Sequence, residues 1–135
     1  KQNDAVFLGS GHAAWHAALT LKQFGKSVAI VEKDTIAGTC TNFGCNAKIL
    51  LEGPYEVLEE AAQYPNIINT QNLEVNWQSL MDYKKEFINP MSGSLTSLFE
   101  NQGIDVIMGK GTILDEHSID AALYTSDAAD EEDSV

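Results

Sequence analysis

The chain has 135 residues, 44% of them hydrophobic, enough for one domain with a core of its own. Its formal charge of −12 comes from 20 acids and 8 lysines with no arginine, which argues against a nucleic-acid surface built on clustered cations. No apolar run reaches the ~18 residues of a membrane span, the lysine-then-acid N-terminus does not read as a secretory signal, and two cysteines are too few for an exported disulfide scaffold, so the expectation is a cytoplasmic protein.

Ala5-Val-Phe-Leu8 is a short apolar run ending in glycines, the pattern of a buried strand. His12 to Phe24 is rich in alanine and leucine and predicts a helix closed by Gly25. Ser27 to Glu32 predicts a second buried strand, which completes a βαβ opening. Gly44 to about Gln63 reads as a helix interrupted or kinked at Gly53-Pro54, and Pro65 to Leu73 as a polar loop. Asn76 is positioned to cap a long helix that Gly103 ends, with Pro90 and Gly93 predicting a kink. Ile104–Met108 predicts a third strand, and Thr112–Leu114 with Ser118-Ile119 a hairpin turning at Asp115-Glu116. From Ala121 the periodicity stops. Residues 115–135 hold eight acids and no lysine, and removing them leaves an ordinary −4. The expected organisation is a partial domain over 1–120 and a disordered acidic tail over 121–135.

Residues 9–14 read Gly-Ser-Gly-His-Ala-Ala, a GxGxxA between strand and helix. Gly9 permits the tight turn, Gly11 leaves a pyrophosphate room on the exposed N–H groups of the helix start, and Ala14 allows close helix–strand packing. Glu32 ends the next strand 21 residues after Gly11, where a carboxylate can accept from both ribose hydroxyls. The bland alternative is a glycine turn with a surface glutamate.

Cys40 and Cys45 are the only cysteines and stand four residues apart in Gly-Thr-Cys-Thr-Asn-Phe-Gly-Cys. By themselves they suit a staple, half of a metal site or a redox pair. His12 and His16, at i and i+4 of one helix, complete a possible zinc set, although C-x4-C is wide for zinc and His12 falls where the pyrophosphate belongs. Trp15 and Trp77 read as core or interface residues, and Lys84-Lys85 as a solvated helix face.

The segment Ala37-Gly-Thr-Cys-Thr-Asn-Phe-Gly-Cys-Asn-Ala-Lys48, placed after the glycine turn and Glu32 and before Met108-Gly-Lys-Gly-Thr112, resembles the class I pyridine nucleotide-disulfide oxidoreductases, the family of glutathione reductase, dihydrolipoamide dehydrogenase and mercuric reductase. The family pattern is GGTC-x-N-x-GC-x-P-S-K, and the resemblance covers about residues 4–120. It implies an α/β fold, a Rossmann-like FAD-binding segment with a parallel sheet and a C-terminal hairpin. It implies FAD on Gly9, Ser10, Gly11, His12 and Ala13, with Glu32 and Lys33 at the adenosine ribose. Gly38, Thr39, Cys40, Gly44 and Cys45 would lie beside the isoalloxazine, Lys48 near its N5, and Gly111 against adenine.

In the family the counterpart of Cys45 is the charge-transfer thiolate and that of Cys40 exchanges with substrate. The resemblance thus implies a redox-active Cys40–Cys45 disulfide, NAD(P)H as electron donor, a small disulfide-type substrate and a homodimer. A cysteine near a helix N-terminus also has a lowered pKa, and the thiolate is the exchanging species. Two sulfurs four residues apart can meet if the first helical turn is distorted, since the Cα atoms must come within ~7 Å.

The departures are specific. Ala37 replaces a glycine, the proline and serine are missing, and Lys48 comes one residue early. The family continues into an NAD(P) domain and an interface domain carrying an acid–base histidine, and His117 is not its counterpart. The competing readings are a flavin-binding segment without turnover, a zinc module, and a plain NAD dehydrogenase that leaves the cysteines unexplained.

Overall fold

The computed structural model describes residues 1–123. The chain runs β1 (Ala5–Leu8), α1 (His12–Gln23), β2 (Val28–Glu32), α2 (Gly38–Asn42), α3 (Cys45–Ala62), α4 (Trp77–Asn101), β3 (Asp105–Asp115) and β4 (Ser118–Leu123). The strands form one sheet in the order β1-β2-β3-β4. β1 and β2 pair in parallel, Ala5 opposite Val28 and Leu8 opposite Val31. β2 pairs in parallel with the first part of β3, Ala29 opposite Asp105 and Glu32 opposite Met108. From Gly109 onward β3 pairs antiparallel with β4. The architecture is the expected α/β one, a parallel βαβ sheet carrying a C-terminal hairpin.

Every residue of β2 is buried, as an unbroken Val-Ala-Ile-Val run requires of a central strand covered on both faces. On one face Val28 and Ile30 join Ala18, Ile36, Ala37, Phe99 and Ile104 in the core, with Trp15, Leu19 and Leu95 packed against it. Complete burial of Phe99 contributes about 2–3 kcal/mol and anchors α4 to the sheet. On the other face the hairpin crosses close to β1 and β2. A Cβ at Gly111 would collide with Leu8 Cδ2 and lie 3.2 Å from Val31 Cγ1.

The helix ends follow the sequence. Gly25 and Gly103 take left-handed φ of 74° and 72°, and each closes its helix with a paired return bond. Lys26 N–H reaches Leu21 O at 3.1 Å, and Ile104 N–H reaches Phe99 O at 2.9 Å. Asn76 caps α4, its side chain accepting from Ser79 N–H at 2.9 Å.

Several expectations are corrected. α3 is not interrupted at Gly53-Pro54, and α4 likewise is continuous through Pro90. A proline costs a helix about 3 kcal/mol, and long helices packed along one side absorb it. The expected strand at Ile104–Met108 and the first hairpin strand at Thr112–Leu114 are one strand, β3, which begins at Asp105, because Gly109 and Gly111 are strand positions with close neighbours. β4 continues through Leu123, so Ala121–Leu123 are strand, and the rest of the expected acidic tail lies outside the described residues. Trp15 packs on the core as expected, while Trp77 is 55% exposed.

Ala37, at the family's glycine position, has φ 76°. The left-handed conformation costs an alanine about 1–2 kcal/mol. Ala37 is also fully buried, and losing a buried methyl costs about 1 kcal/mol. The two nearly cancel, so Ala37→Gly is expected to move the denaturant midpoint little. Ala37→Val adds branched bulk at positive φ inside a closed core and is expected to cost about 3 kcal/mol or more. Urea titration of both variants checks this, and a large loss on Ala37→Gly would mean that the methyl outweighs the strain.

Candidate functional site

The site forms where three segments meet at the C-terminal ends of β1 and β2: the glycine turn, the end of β2 and the cysteine segment. Gly9 has φ 89°, the left-handed turn expected there. Gly11 is the N-cap of α1 with φ −63°, and no side chain caps this helix end. A Cβ at Gly11 would meet nothing within 4 Å, so the space over the helix start is open. The N–H groups of His12 and Ala13 begin that helix. The His12 ring turns the other way. It lies 5.4 Å from the Trp15 ring and 5.3 Å from that of His16, with Nε2 3.4 Å from Thr41 Oγ1.

Glu32 is 7% exposed and is held by donors on both oxygens. Oε2 accepts from Ser10 N–H at 2.8 Å and from Ser10 Oγ–H at 2.6 Å, and Oε1 accepts from Asp34 N–H at 2.9 Å. Burial pushes this carboxyl up, but the hydrogen bonds from Ser10, Asp34 and Lys33 together outweigh it and leave the pKa below its ordinary value near 4.5. Lys33 itself points into solvent.

The cysteine segment is not one helix. Gly38–Asn42 form the short helix α2, which the five-residue stretch was too short to announce, and α3 begins at Cys45. Cys40 and Cys45 form a disulfide with their Cα atoms 4.8 Å apart. Gly44 makes this approach possible, because a Cβ there would lie 3.2 Å from Thr39 O and 3.3 Å from Cys40 Cα. Asn42, quoted in the motif but given no role from sequence, holds the segment's root. It is buried, and its amide donates to Ile36 O and Gly38 O, both at 2.9 Å.

The segment is docked on the glycine turn. Gly38, with φ 68°, would place a Cβ 2.9 Å from Gly11 Cα. Thr39 and Cys40 follow Gly38 directly in the chain, and the disulfide ties Cys45 to Cys40. Lys48 is exposed one turn along α3. Its Nζ pairs with Glu52 at 2.7 Å, a hydrogen bond that raises its pKa. Gly111 lies in β3 against Leu8 and Val31.

A cleft of about 440 Å³ lies between the start of α1, the cysteine helices and α4, lined by His12, Trp15, Thr41, Asn46, Phe87 and Met91 among others. Thr41 and Asn46 each follow a cysteine, and the Trp15 indole N–H is buried there without a partner among the described residues. Among the described residues no group of three or more His, Cys, Asp or Glu side chains is arranged around a metal position. The two sulfurs are bonded to each other, which takes both from the zinc set. No described helix is long and apolar enough to cross a membrane.

The chain belongs to the pyridine nucleotide-disulphide oxidoreductases, whose family model matches residues 3–133. Among curated proteins it is 25% identical over 119 residues to a dihydrolipoyl dehydrogenase of Staphylococcus aureus and 30% identical over 121 residues to that of Manduca sexta. Each match takes in 87% of this chain but only 25% and 24% of those proteins, so the chain spans about a quarter of their length. Among solved structures it is similar to the Cu(II) complex of RclA, an HOCl-induced flavoprotein disulfide reductase of Escherichia coli, with a TM-score of 0.69 and 25% identity over 90% of this chain and 25% of that one.

Proposed function

We propose that this chain is the N-terminal FAD-binding part of a flavoprotein disulfide oxidoreductase whose Cys40–Cys45 disulfide relays electrons to a small disulfide substrate. The observation that carries the reading is the docking of the cysteine segment on an open, glycine-capped helix start: Gly38 lies against Gly11, with Glu32 bonded to the residue between Gly9 and Gly11.

The residues fit a flavin dinucleotide. The uncapped N-terminus of α1 offers the N–H groups of His12 and Ala13 to a pyrophosphate. Glu32 presents a carboxylate at the end of β2, where it can accept from a ribose hydroxyl. Gly9, Ser10, Gly11, Lys33, Gly38, Thr39, Gly44, Lys48 and Gly111 complete the proposed binding set. FAD, when bound, supplies a two-electron carrier beside the disulfide.

The chain's own part is the thiol chemistry. Reduction breaks the Sγ–Sγ bond, takes up two electrons and two protons and leaves two thiols. Cys45 is the first residue of an 18-residue helix, whose dipole favours its thiolate. Cys40 then exchanges with a substrate sulfur. The same reading carries NAD(P)H as donor, a cytoplasmic location and a homodimer, for which exposed Ile49, Val57 and Ile67 offer apolar surface. A second reading, flavin binding without turnover by this chain alone, is favoured by its span of about a quarter of the relatives.

Gly11→Leu tests the site with little strain on the fold, because φ is −63° and a Cβ there would meet nothing within 4 Å. The variant is expected to melt like wild type and to lose FAD affinity about 100-fold or more, read by flavin absorbance after dialysis. Mild reduction of either protein should expose two titratable thiols. Unchanged flavin retention in Gly11→Leu would overturn the assignment. Mixing wild type with FAD, NADH or NADPH and a small disulfide separates the two readings by whether nicotinamide oxidation is sustained.

A further inference from the structure

Ser10 is fully buried, and its hydroxyl points two ways. Its proton goes to Glu32 Oε2 at 2.6 Å, and its oxygen accepts from Ala37 N–H at 2.8 Å. The directions are forced. An amide N–H only donates and an ionised carboxylate only accepts, so the hydroxyl must accept from Ala37 and donate to Glu32. One side chain therefore joins the glycine turn, the end of β2 and the left-handed residue that launches the cysteine helix.

We propose that Ser10 is a positioning residue that holds the ribose carboxylate through one bond and is coupled to the Cys40–Cys45 disulfide through the other. On the Glu32 side, the hydroxyl and N–H of Ser10 fill Oε2 and hold the carboxylate ionised and oriented. On the Ala37 side, the hydroxyl satisfies a buried N–H at the one non-glycine residue with positive φ among the described residues. That bond holds the root of a segment which must bring two Cα atoms to 4.8 Å. Ordering the root in advance favours the closed disulfide over the open dithiol, because less chain freedom is lost on closure. The link to FAD rests on the function proposed above. The link to the disulfide does not.

The test uses the flavin-free chain equilibrated with dithiothreitol mixtures, with thiols trapped and counted, and separate titrations with FAD. Ser10→Ala is expected to shift the exchange equilibrium about fivefold toward the dithiol, the equivalent of one lost hydrogen bond, and to weaken FAD binding about tenfold. Glu32→Gln keeps the Ser10–Ala37 bond, so it should weaken FAD binding yet leave the dithiol equilibrium within twofold of wild type. Ser10→Thr keeps the hydroxyl and should restore the equilibrium if it folds. Hydrogen exchange at the Ala37 amide of wild type needs no variant, and it should speed up when the disulfide is reduced. An unchanged exchange equilibrium in folded Ser10→Ala, or Ala37 exchange indifferent to reduction, overturns the coupling. Absence of FAD binding by wild type would instead count against the proposed function, and the thiol measurements would still decide the coupling.

Discussion

Gly38→Val is expected to detach the cysteine segment from the glycine turn and to cost of order 4 kcal/mol, from a left-handed strain of about 1–2 kcal/mol and a clash with nowhere to go. The Cβ would stand 2.9 Å from Gly11 Cα and 3.4 Å from Gly11 N. Both atoms are backbone of the turn, so neither can swing aside as a side chain would. Relief means parting the two segments, which breaks the Ser10–Ala37 bond at 2.8 Å and strains the Asn42–Gly38 bond at 2.9 Å. Against a usual domain stability of about 5–15 kcal/mol, such a loss is severe. Gly53→Ala and Gly93→Ala serve as controls. Both positions lie inside helices with nothing within 4 Å of the added Cβ, so each should stabilise by about 0.5–1 kcal/mol. Thermal melts of the three variants check the contrast. A Gly38→Val protein as stable as wild type would mean that the two segments do not touch in solution.

What the sequence made legible is what local pattern encodes. The strand runs of β1 and β2, the alanine-rich α1, the closing glycines Gly25 and Gly103 and the Asn76 cap are each set by a few neighbouring residues, and the structure has them where expected. The expected burial holds for β2 only: β1 is the edge strand and leaves Val6 and Leu8 exposed. The cysteine motif and the glycine turn pointed to the family that the comparisons then established. Misread features depend on partners distant in the chain. Gly109 and Gly111 interrupt an apolar run, so one strand reads as ending at Met108 and the hairpin as starting at Thr112. In fact a Cβ at Gly109 would strike the Ala122 carbonyl across the hairpin, and a glycine inside a strand pattern is itself the mark of such an approach. α2 has five residues and no period to detect. Glu32 was legible as a carboxylate at a strand end, but not the way Ser10, 22 positions away, fills one of its oxygens.

Glu32 also makes stability depend on pH in a direction that can be worked out. Its folded pKa lies below the ordinary value near 4.5, since the hydrogen bonds of Ser10, Asp34 and Lys33 outweigh the burial that pushes it up. The unfolded chain therefore takes up a proton before the folded one does as pH falls. The stabilising contribution is fully present above the unfolded pKa and is lost as pH drops through the folded pKa. Asp4 and Asp115 are lowered in the same direction by their bonds to Ser27, and to Ser118 and His117, so wild type alone cannot isolate Glu32. The difference between wild type and Glu32→Gln can. The glutamine keeps the shape and can still accept from Ser10, but its NH2 faces the Asp34 N–H, donor against donor. It is expected to cost about 1–2 kcal/mol near pH 7. Glu32→Ala leaves the Ser10 N–H and hydroxyl and the Asp34 N–H without acceptors in a buried site, and should cost about 3 kcal/mol or more. Urea titrations from pH 7 down to about pH 3 should show the gap between wild type and Glu32→Gln narrow once the pH passes below about 4.5, the ordinary carboxyl value. A gap that stays constant over that range would mean that Glu32 titrates alike in the folded and unfolded chain, and that the donors around it do not hold its charge.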